Sequence, residues 1–404
     1  MLIVQTQIFI NQVPTVIFPQ RAYEFALDFV CEFSASNSWK DFTDEAKITL
    51  PKHFKYVDTT GTVQVWADGT NINIGASWTS NIPLFSKNDE VTLIAGYKYQ
   101  LNGVWYTDTA ILFSGYISKV SSHKPFVLEC EDNMFKLKQI PAPNKLFPAT
   151  TYTLEKILAE LLQGSPFTVS QVSQTNIGDF RTQNETVMDV VARVHKDYHF
   201  PAFFNQNELL CGPLVVYSIP GNTYQFVFQD NIIDDELEYM RKDDIVLSAL
   251  AYSVNKETVN VQTKDGATKT KHSRLEVLVT YQNGAFTAET PPAGTKADFP
   301  PNYTGERRTL YFWNVTSSAA LVALAQAELI KYYYTGFKGK FTTFGIPYVK
   351  QGDNVQLYNN VLPEQNGEYK VKSVEYSLSV DKGLRQVIEL DYRIGDVGSA
   401  PVGS

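Results

Sequence analysis

At 404 residues the chain has room for two to four domains of roughly 100–200 residues each, because a single core rarely grows so large. Hydrophobic residues make up 44%, with 23 Tyr, 25 Phe and 5 Trp, which excludes a disordered chain and favours strands, where flat rings pack well on pleated surfaces. The formal charge of -8 is spread along the chain and argues against a surface built to grip phosphates.

Cys31, Cys130 and Cys211 are odd in number, far apart, and each in or beside an apolar run. A zinc site or disulfide framework therefore has no support, and the three read as small buried apolar residues of a chain made in a reducing cytoplasm. The opening MLIVQTQIFINQVPTVIF lacks a basic stretch and is broken by Gln, Asn and Pro, unlike a signal peptide. No uninterrupted apolar stretch approaches the roughly 20 residues of a membrane span, so no membrane insertion is expected.

In chain order, residues 23–33, 44–50, 90–99 and 104–118 read as strands rich in Val, Ile, Phe and Tyr. Leu101-Asn102-Gly103 supplies a hairpin turn, and Phe126 to Asp132 forms a partner for the strand at 111–120. A small β-barrel closes such short strands without raw edges. After Pro141-Ala142-Pro143 the period changes. Leu154, Ile157, Leu158, Leu161 and Leu162 share one face of a helix over 153–163, with Thr153 as N-cap and Gly164 as stop. Val187, Val190, Val191 and Val194 mark a second helix over 184–198, followed by strands at 202–204 and 209–211 around a polar turn.

From about residue 243 strands return at 245–254, 259–263 and 275–281, with Lys264-Asp265-Gly266-Ala267 as an Asp-Gly turn. Residues 283–301 read as an exposed loop. A helix over 317–332 precedes a strand at 338–344, and segments 352–357, 367–377 and 383–392 read as consecutive antiparallel strands of a second barrel. The last residues, 398–404, are too poor in apolar groups to order themselves.

Residues with chemical potential each have a plainer reading beside them. His195 and His199 stand at i, i+4, a spacing that can hold zinc, but Lys196 occupies the position where a metalloprotease needs Glu, so a solvated helix end or an interface is favoured. The carboxylates Asp230, Asp234, Asp235, Glu236, Glu238, Asp243 and Asp244 could serve a glycosidase, yet with Arg241 and Lys242 nearby they read as a solvated linker between domains. The run Lys331-Tyr332-Tyr333-Tyr334-Thr335-Gly336-Phe337 could stack bases or sugars, and reads more simply as a packed junction or subunit contact. No nucleophile elbow, P-loop or dinucleotide fingerprint is present. No catalytic, cofactor-binding or metal-ligating residue is assigned, and the binding residues are left open.

Three stretches, in order, resemble the baseplate or tail hub proteins of phages, a family with relatives in prophages, type VI secretion and other contractile injection systems. The first is Phe113-Ser114-Gly115-Tyr116-Ile117 with Phe126-Val127-Leu128-Glu129-Cys130-Glu131-Asp132. The second runs from Asn184 through Tyr198 to Phe203-Phe204 and Leu209-Leu210-Cys211-Gly212. The third comprises Gly345-Ile346-Pro347-Tyr348, Gly352-Asp353-Asn354-Val355 and Gly367 to Val374, then Gly383. The insert at 58–80, with Trp66 and Trp78, departs from the pattern.

The resemblance implies a mainly β protein with α/β insertions and two tube-protein-like barrels. The expected domains are 1–140, an N-terminal barrel; 141–240, α/β with two helices; 241–335, strand-rich; and 336–404, the second barrel with its tail. It implies a non-enzymatic homotrimer without cofactors at the virion tail tip, assembled in the host cytoplasm. Such a ring adapts a sixfold tail tube protein to a threefold spike protein, and DNA passes its central channel without specific binding. The alternative is a receptor- or carbohydrate-binding β-module using Trp66, Trp78 and Trp105.

Overall fold

A computed structural model describes residues 2–397 apart from 20, 22–23, 28, 52, 59–62, 68–69, 74–82, 122–125, 171–174, 213–220, 242–245, 260–268, 293–294, 314 and 316. Strand accounts for 52% and helix for 13%, so the protein is mainly β with a few helices. The first run comprises β1 (Leu2–Asn11), β2 (Glu24–Leu27), β3 (Glu32–Ser38), β4 (Glu45–Leu50), β5 (His53–Asp58), β6 (Val63–Ala67), β7 (Thr70–Asn73), β8 (Glu90–Leu101), β9 (Val104–Ser121) and β10 (Phe126–Glu131). Between β8 and β9, Asn102 and Gly103 both take positive φ (51° and 81°), the geometry that lets a two-residue turn follow the strand twist.

Next come α1 (Met134–Leu137), β11 (Lys145–Phe147), α2 (Leu154–Leu161), β12 (Thr168–Val169), β13 (Phe180–Thr182), α3 (Val187–Tyr198), β14 (Ala202–Asn205) and β15 (Glu208–Cys211). Thr153 caps α2, and Thr186 with Asp189 forms a reciprocal capping box on α3. Leu154, Ile157, Leu158 and Leu161 of α2 meet Val187, Val190, Val191 and Val194 of α3 in one core with Phe147, Phe180 and Leu209. The two helices are as expected, with shorter ends.

The chain continues through β16 (Thr223–Val227), β17 (Ile232–Met240), β18 (Leu247–Val259), β19 (Lys269–Gln282), β20 (Ala285–Glu289), β21 (Glu306–Trp313) and α4 (Ser318–Ile330). It ends with β22 (Gly336–Phe344), β23 (Asn354–Tyr358), β24 (Gly367–Ser379) and β25 (Gly383–Gly395). Strands β20-β19-β18-β21 form a separate sheet, on which Leu321, Ala325 and Leu329 of α4 pack against Leu247, Ala249, Ala251, Val277 and Val279.

Strands β11-β13 and β12-β15-β14 form two small sheets, and the others build one 16-stranded sheet in the order β17-β22-β25-β24-β3-β4-β10-β9-β8-β1-β2-β5-β6-β7, with β16 and β23 branching from β24. Two halves, from near the two ends of the chain, are therefore welded at the β24–β3 pair, where Tyr376 lies opposite Ala35 and Val374 opposite Asn37. On one face Val374, Tyr376, Phe33 and Ala35 are buried, and a single core runs from Ile8 and Leu93 to Val371 and Ile388. Each large aliphatic buried there contributes about 1.5–3 kcal/mol relative to exposure. On the other face, Glu375 lies opposite Ser36, Ser36 opposite Glu45 and Glu45 opposite Glu131. The sheet is thus apolar inward and polar outward across the weld.

Two elements differ from expectation. The acidic segment at 230–240 is not a linker: β17 pairs along β22, and Lys340 faces Glu236 at 3.3 Å. Ile232, Leu237 and Tyr239 pack on the main core while the carboxylates point outward, and opposite charge across the pair offsets the low strand propensity of Asp and Glu. Within 283–301, Asn283 and Gly284 take positive φ and turn β19 into β20, so part of the expected loop is a strand. The expected turn at 264–267 and the tail at 398–404 lie outside the described residues. Asp243 and Asp244 do too. Among the described residues no helix is long and apolar enough to cross a membrane, which leaves strands unaddressed.

Candidate interface surfaces

The residues singled out for chemistry are spread over the molecule and held by neighbours. His195 Nδ1 lies 2.8 Å from the Phe200 carbonyl, and Phe42 packs on its ring at 5.6 Å. His199 takes positive φ at the end of α3 and stacks on Tyr311 at 3.6 Å; burial and the nearby His195 hold its pKa below the ordinary value. The pair marks where α3 meets β21. Among the described residues no group of three His, Cys, Asp or Glu side chains is placed to hold a metal ion. Burial raises the pKa of all three thiols, that of Cys211 to about 12, so none is a thiolate nucleophile at neutral pH.

The tyrosine run is a packed junction. Arg308 sits 3.7 Å over the Tyr332 ring, Tyr333 meets Tyr281 at 3.8 Å, and the Tyr334 hydroxyl donates to the Phe337 carbonyl at 3.1 Å. Both rings are partly buried, Tyr332 against the core of the inserted sheet and Tyr334 against the main core, and burial raises both pKa values. The side chain of Trp66 and all of Trp78 lie outside the described residues. Trp105 is exposed, with the Lys98 ammonium 5.3 Å from its ring centroid.

What the structure brings together instead is the two halves of the main sheet. The Tyr348 hydroxyl lies 2.7 Å from the Ala95 carbonyl and 3.1 Å from that of Asp108, its one proton shared between them. In return the Tyr97 hydroxyl donates to the Leu384 carbonyl at 3.0 Å. Gly96 leaves the room this requires, since a Cβ there would strike both the Tyr348 hydroxyl and the Asp108 carbonyl. Outside this core, the polar face at the weld forms a hollow of about 360 Å³ lined by Ser34, Ser36, Glu45, Lys47, Glu129 and Glu375.

Among the described residues, exposed apolar side chains gather at several places. The far end of the β8–β9 hairpin carries Leu101, Val104 and Tyr106, and β1 adds Leu2 beside Tyr99. Helix α4 turns Leu324 and Ile330 outward although it is apolar on every side. The turn between β1 and β2 exposes Val16 fully and Ile17 at 78%. A hollow of about 490 Å³ beside the β16–β17 turn is lined by the apolar Phe228, Ile232, Ile233, Val361 and Leu362 together with Gln229, Asp234, Asp235 and Asn359. The sequence reading passed over the last two. A signal was available in Val16-Ile17, β-branched residues at a turn where Gly, Asn or Asp is usual, set between Pro14 and Pro19.

No protein-family model matches the chain, and no curated protein sequence matches it. Solved structures do. A tail protein from Neisseria meningitidis MC58 aligns with a TM-score of 0.51 at 11% identity, covering 96% of each chain. The chain shares the fold of that tail protein. A 43 kDa tail protein of prophage MuSo2 from Shewanella oneidensis aligns at 0.49 and 12% identity over 96% of this chain and 98% of that one. A chain of the Francisella PdpA-VgrG complex aligns at 0.48 and 10% identity over 99% of this chain and 54% of that one. The Neisseria alignment spans nearly the whole of both chains.

Proposed function

We propose that the chain is a structural, non-enzymatic subunit of a phage tail tip: a homotrimeric hub that adapts a sixfold tail tube to a threefold spike. The observation that carries this reading is the weld of two sheet halves into one body with one core. A chain that holds two sheet units side by side presents six when three copies close a ring, and so satisfies both symmetries. The tail-protein fold supports the same reading. We place the chain in the virion tail after assembly in the host cytoplasm, with the tail tube protein and the spike protein as its partners.

The polar outer face across the weld, where Glu45, Glu129, Glu131 and Glu375 outnumber Lys47 among serines, suits the wall of a channel through which DNA passes without being held, because the net negative lining repels phosphates. The domain limits 1–140, 141–240, 241–335 and 336–404 belong to this proposal. The pairing of β16 with β23 and of β17 with β22 favours moving 223–240 from the second of these units to the last.

Light scattering on the purified protein tests the reading, together with class averages from electron microscopy. The expected result is three times the chain mass and a six-lobed ring with a central opening. A twofold dimer, or a ring without six lobes, overturns it. Glycan binding by the isolated protein would instead support a receptor-binding module.

A further inference from the structure

The two halves of the main sheet repeat each other strand for strand. In one, β3-β4-β10-β9-β8 is antiparallel at every step; in the other, β17-β22-β25-β24-β23 is antiparallel at every step and keeps the same chain order. The likeness reaches single residues. Asn88 and Gly352 both take positive φ (79° and 82°). The Asn88 N–H donates to the Ile117 carbonyl and that of Gly352 to Val371, while the N–H groups of Ile117 and Val371 donate back to the carbonyls of Asp89 and Asp353. Each of these aspartates accepts on its carboxylate from the N–H three residues before it, Ser86 or Lys350, at 2.7 Å. One residue then bulges in each half: Ile117 pairs with Cys130 but Lys119 with Glu129, as Val371 pairs with Leu390 but Ser373 with Glu389. Lys47 faces Glu129 in the first half where Lys340 faces Glu389 in the second.

This correspondence gives the weld a counterpart. At the weld, β3 pairs with the part of β24 that follows the bulge: Ser38 opposite Ser373, Asn37 opposite Val374 and Ser36 opposite Glu375. The equivalent part of β9 starts at Lys119, and past Ile117 no strand among the described residues pairs with its edge away from β10. The equivalent of β3 is β17, which among the described residues pairs with β22 alone. Its Asp235 and Leu237 N–H groups are met by carboxylates of their own strand, at 3.0 and 3.4 Å. Asp234, Asp235, Glu236 and Glu238 make two such edges repel, so a second β17 is not the partner. Lys47 lies opposite Ser34 and Lys340 opposite Glu236, which equates Ser36 with Glu238 and sets the register. Met240, Tyr239 and Glu238 then fall opposite Lys119, Val120 and Ser121. The faces agree, since Val120 and Tyr239 each pack on the main core, and exposed Lys119 stands diagonal to exposed Glu238.

We infer that the open edge of β17 in one copy pairs with β9 past Ile117 in the next, so that the weld inside the chain is repeated between chains. The joint is heterologous: each copy offers β17 to one neighbour and β9 to the other, which is what a closed cyclic assembly needs. Three chains then close with joints of one kind, alternately within and between copies. The inference rests on the trimeric reading above and assigns it a joint.

The test uses the full chain carrying Cys31→Ser, to remove the half-buried native thiol, with Ser121→Cys and Glu238→Cys added together and a short bismaleimide as cross-linker. Covalent dimers and trimers on a denaturing gel are expected from the double variant and from neither single one. Ser36→Cys with Glu375→Cys is the equivalent pair at the weld and should cross-link within one chain. In the unsubstituted protein, amides at 238–240 should exchange as slowly as those of β3. A trimer that gives the weld product but no product between chains, or whose 238–240 amides exchange freely, overturns this joint and leaves the trimer standing. A monomeric wild type removes the trimer and the joint with it.

Discussion

The weld between the two sheet halves and the docking of the two insertions are joints of different kinds. At the weld, main chain pairs with main chain from Phe33 to Ser38, one core is shared, and Tyr97 and Tyr348 each reach across to a carbonyl of the other half. The insertions are attached by side chains. Trp39 of the body packs on Phe203 and Leu210 of the α/β insertion, Lys338 of β22 pairs with Glu306 of β21 at 3.7 Å, and between the two insertions Trp313 lies 4.6 Å from the Tyr198 ring and donates to the Asn176 carbonyl at 2.6 Å. Backbone pairing over a common core leaves no partly unfolded state in which one half survives with its apolar face covered, whereas side-chain docking allows an insertion to loosen alone. The molecule is one continuous sheet body with two accessory units docked on it.

Several substitutions sharpen that contrast. Tyr376→Ala removes a buried ring at the centre of the weld and should cost about 3–5 kcal/mol, lowering a single cooperative transition in denaturant because both halves lose packing at once. Separate transitions for the two halves would show that the weld is weaker than its geometry implies. Tyr348→Phe keeps the ring but takes the donor from the Ala95 and Asp108 carbonyls; the expected loss is about 1–3 kcal/mol, again in the main transition. Trp313→Phe should cost about 1 kcal/mol and act locally. Hydrogen exchange should rise in 176–198 and 306–313 while β3 and β24 stay protected; a rise at the weld as well would make the insertions part of the body.

How far the sequence was legible follows the same division. Local chemistry was readable: Asn102-Gly103 announced its hairpin, Thr153 its helix, and the valines of α3 their buried face. The mainly β class followed from composition. The acidic strand β17 was hidden because a bulge between Ile232 and Asp234 resets the alternation, and because carboxylates outnumber the inward residues Leu237 and Tyr239. Its support comes from Lys338 and Lys340, far along the chain. The weld was beyond reach for the same reason: nothing near Ala35 names Tyr376 as its partner. Asn283-Gly284 was a readable turn, obscured by the Pro- and Thr-rich residues after it. The exposed tip at Val16-Ile17 shows itself only once the turn around it is built.

The finest test of the joint between body and insertion is electrostatic. Asp44 closes the β3–β4 turn that presents Trp39 and Phe42 to the α/β insertion, accepting from the Ser38 N–H at 2.9 Å and the Asn37 amide at 3.0 Å. Burial pushes its pKa up to about 6, against the hydrogen bonds that pull it down. Asp132, at the start of the insertion, is raised well above the usual range by burial and then by Asp44 itself. For a carboxyl raised in the folded state, the native protein holds its proton more tightly than the unfolded chain does. The stabilising contribution is complete below about pH 4, where both forms are protonated, and is lost as pH rises through 6. Denaturant midpoints should therefore fall between pH 5 and pH 7, by an amount on the order of 1 kcal/mol for this residue. Asp44→Asn, which keeps an acceptor for Ser38 but cannot ionise, should flatten that slope. An unchanged slope would mean that Asp44 keeps an ordinary carboxylate pKa and that the joint carries no proton-linked term there.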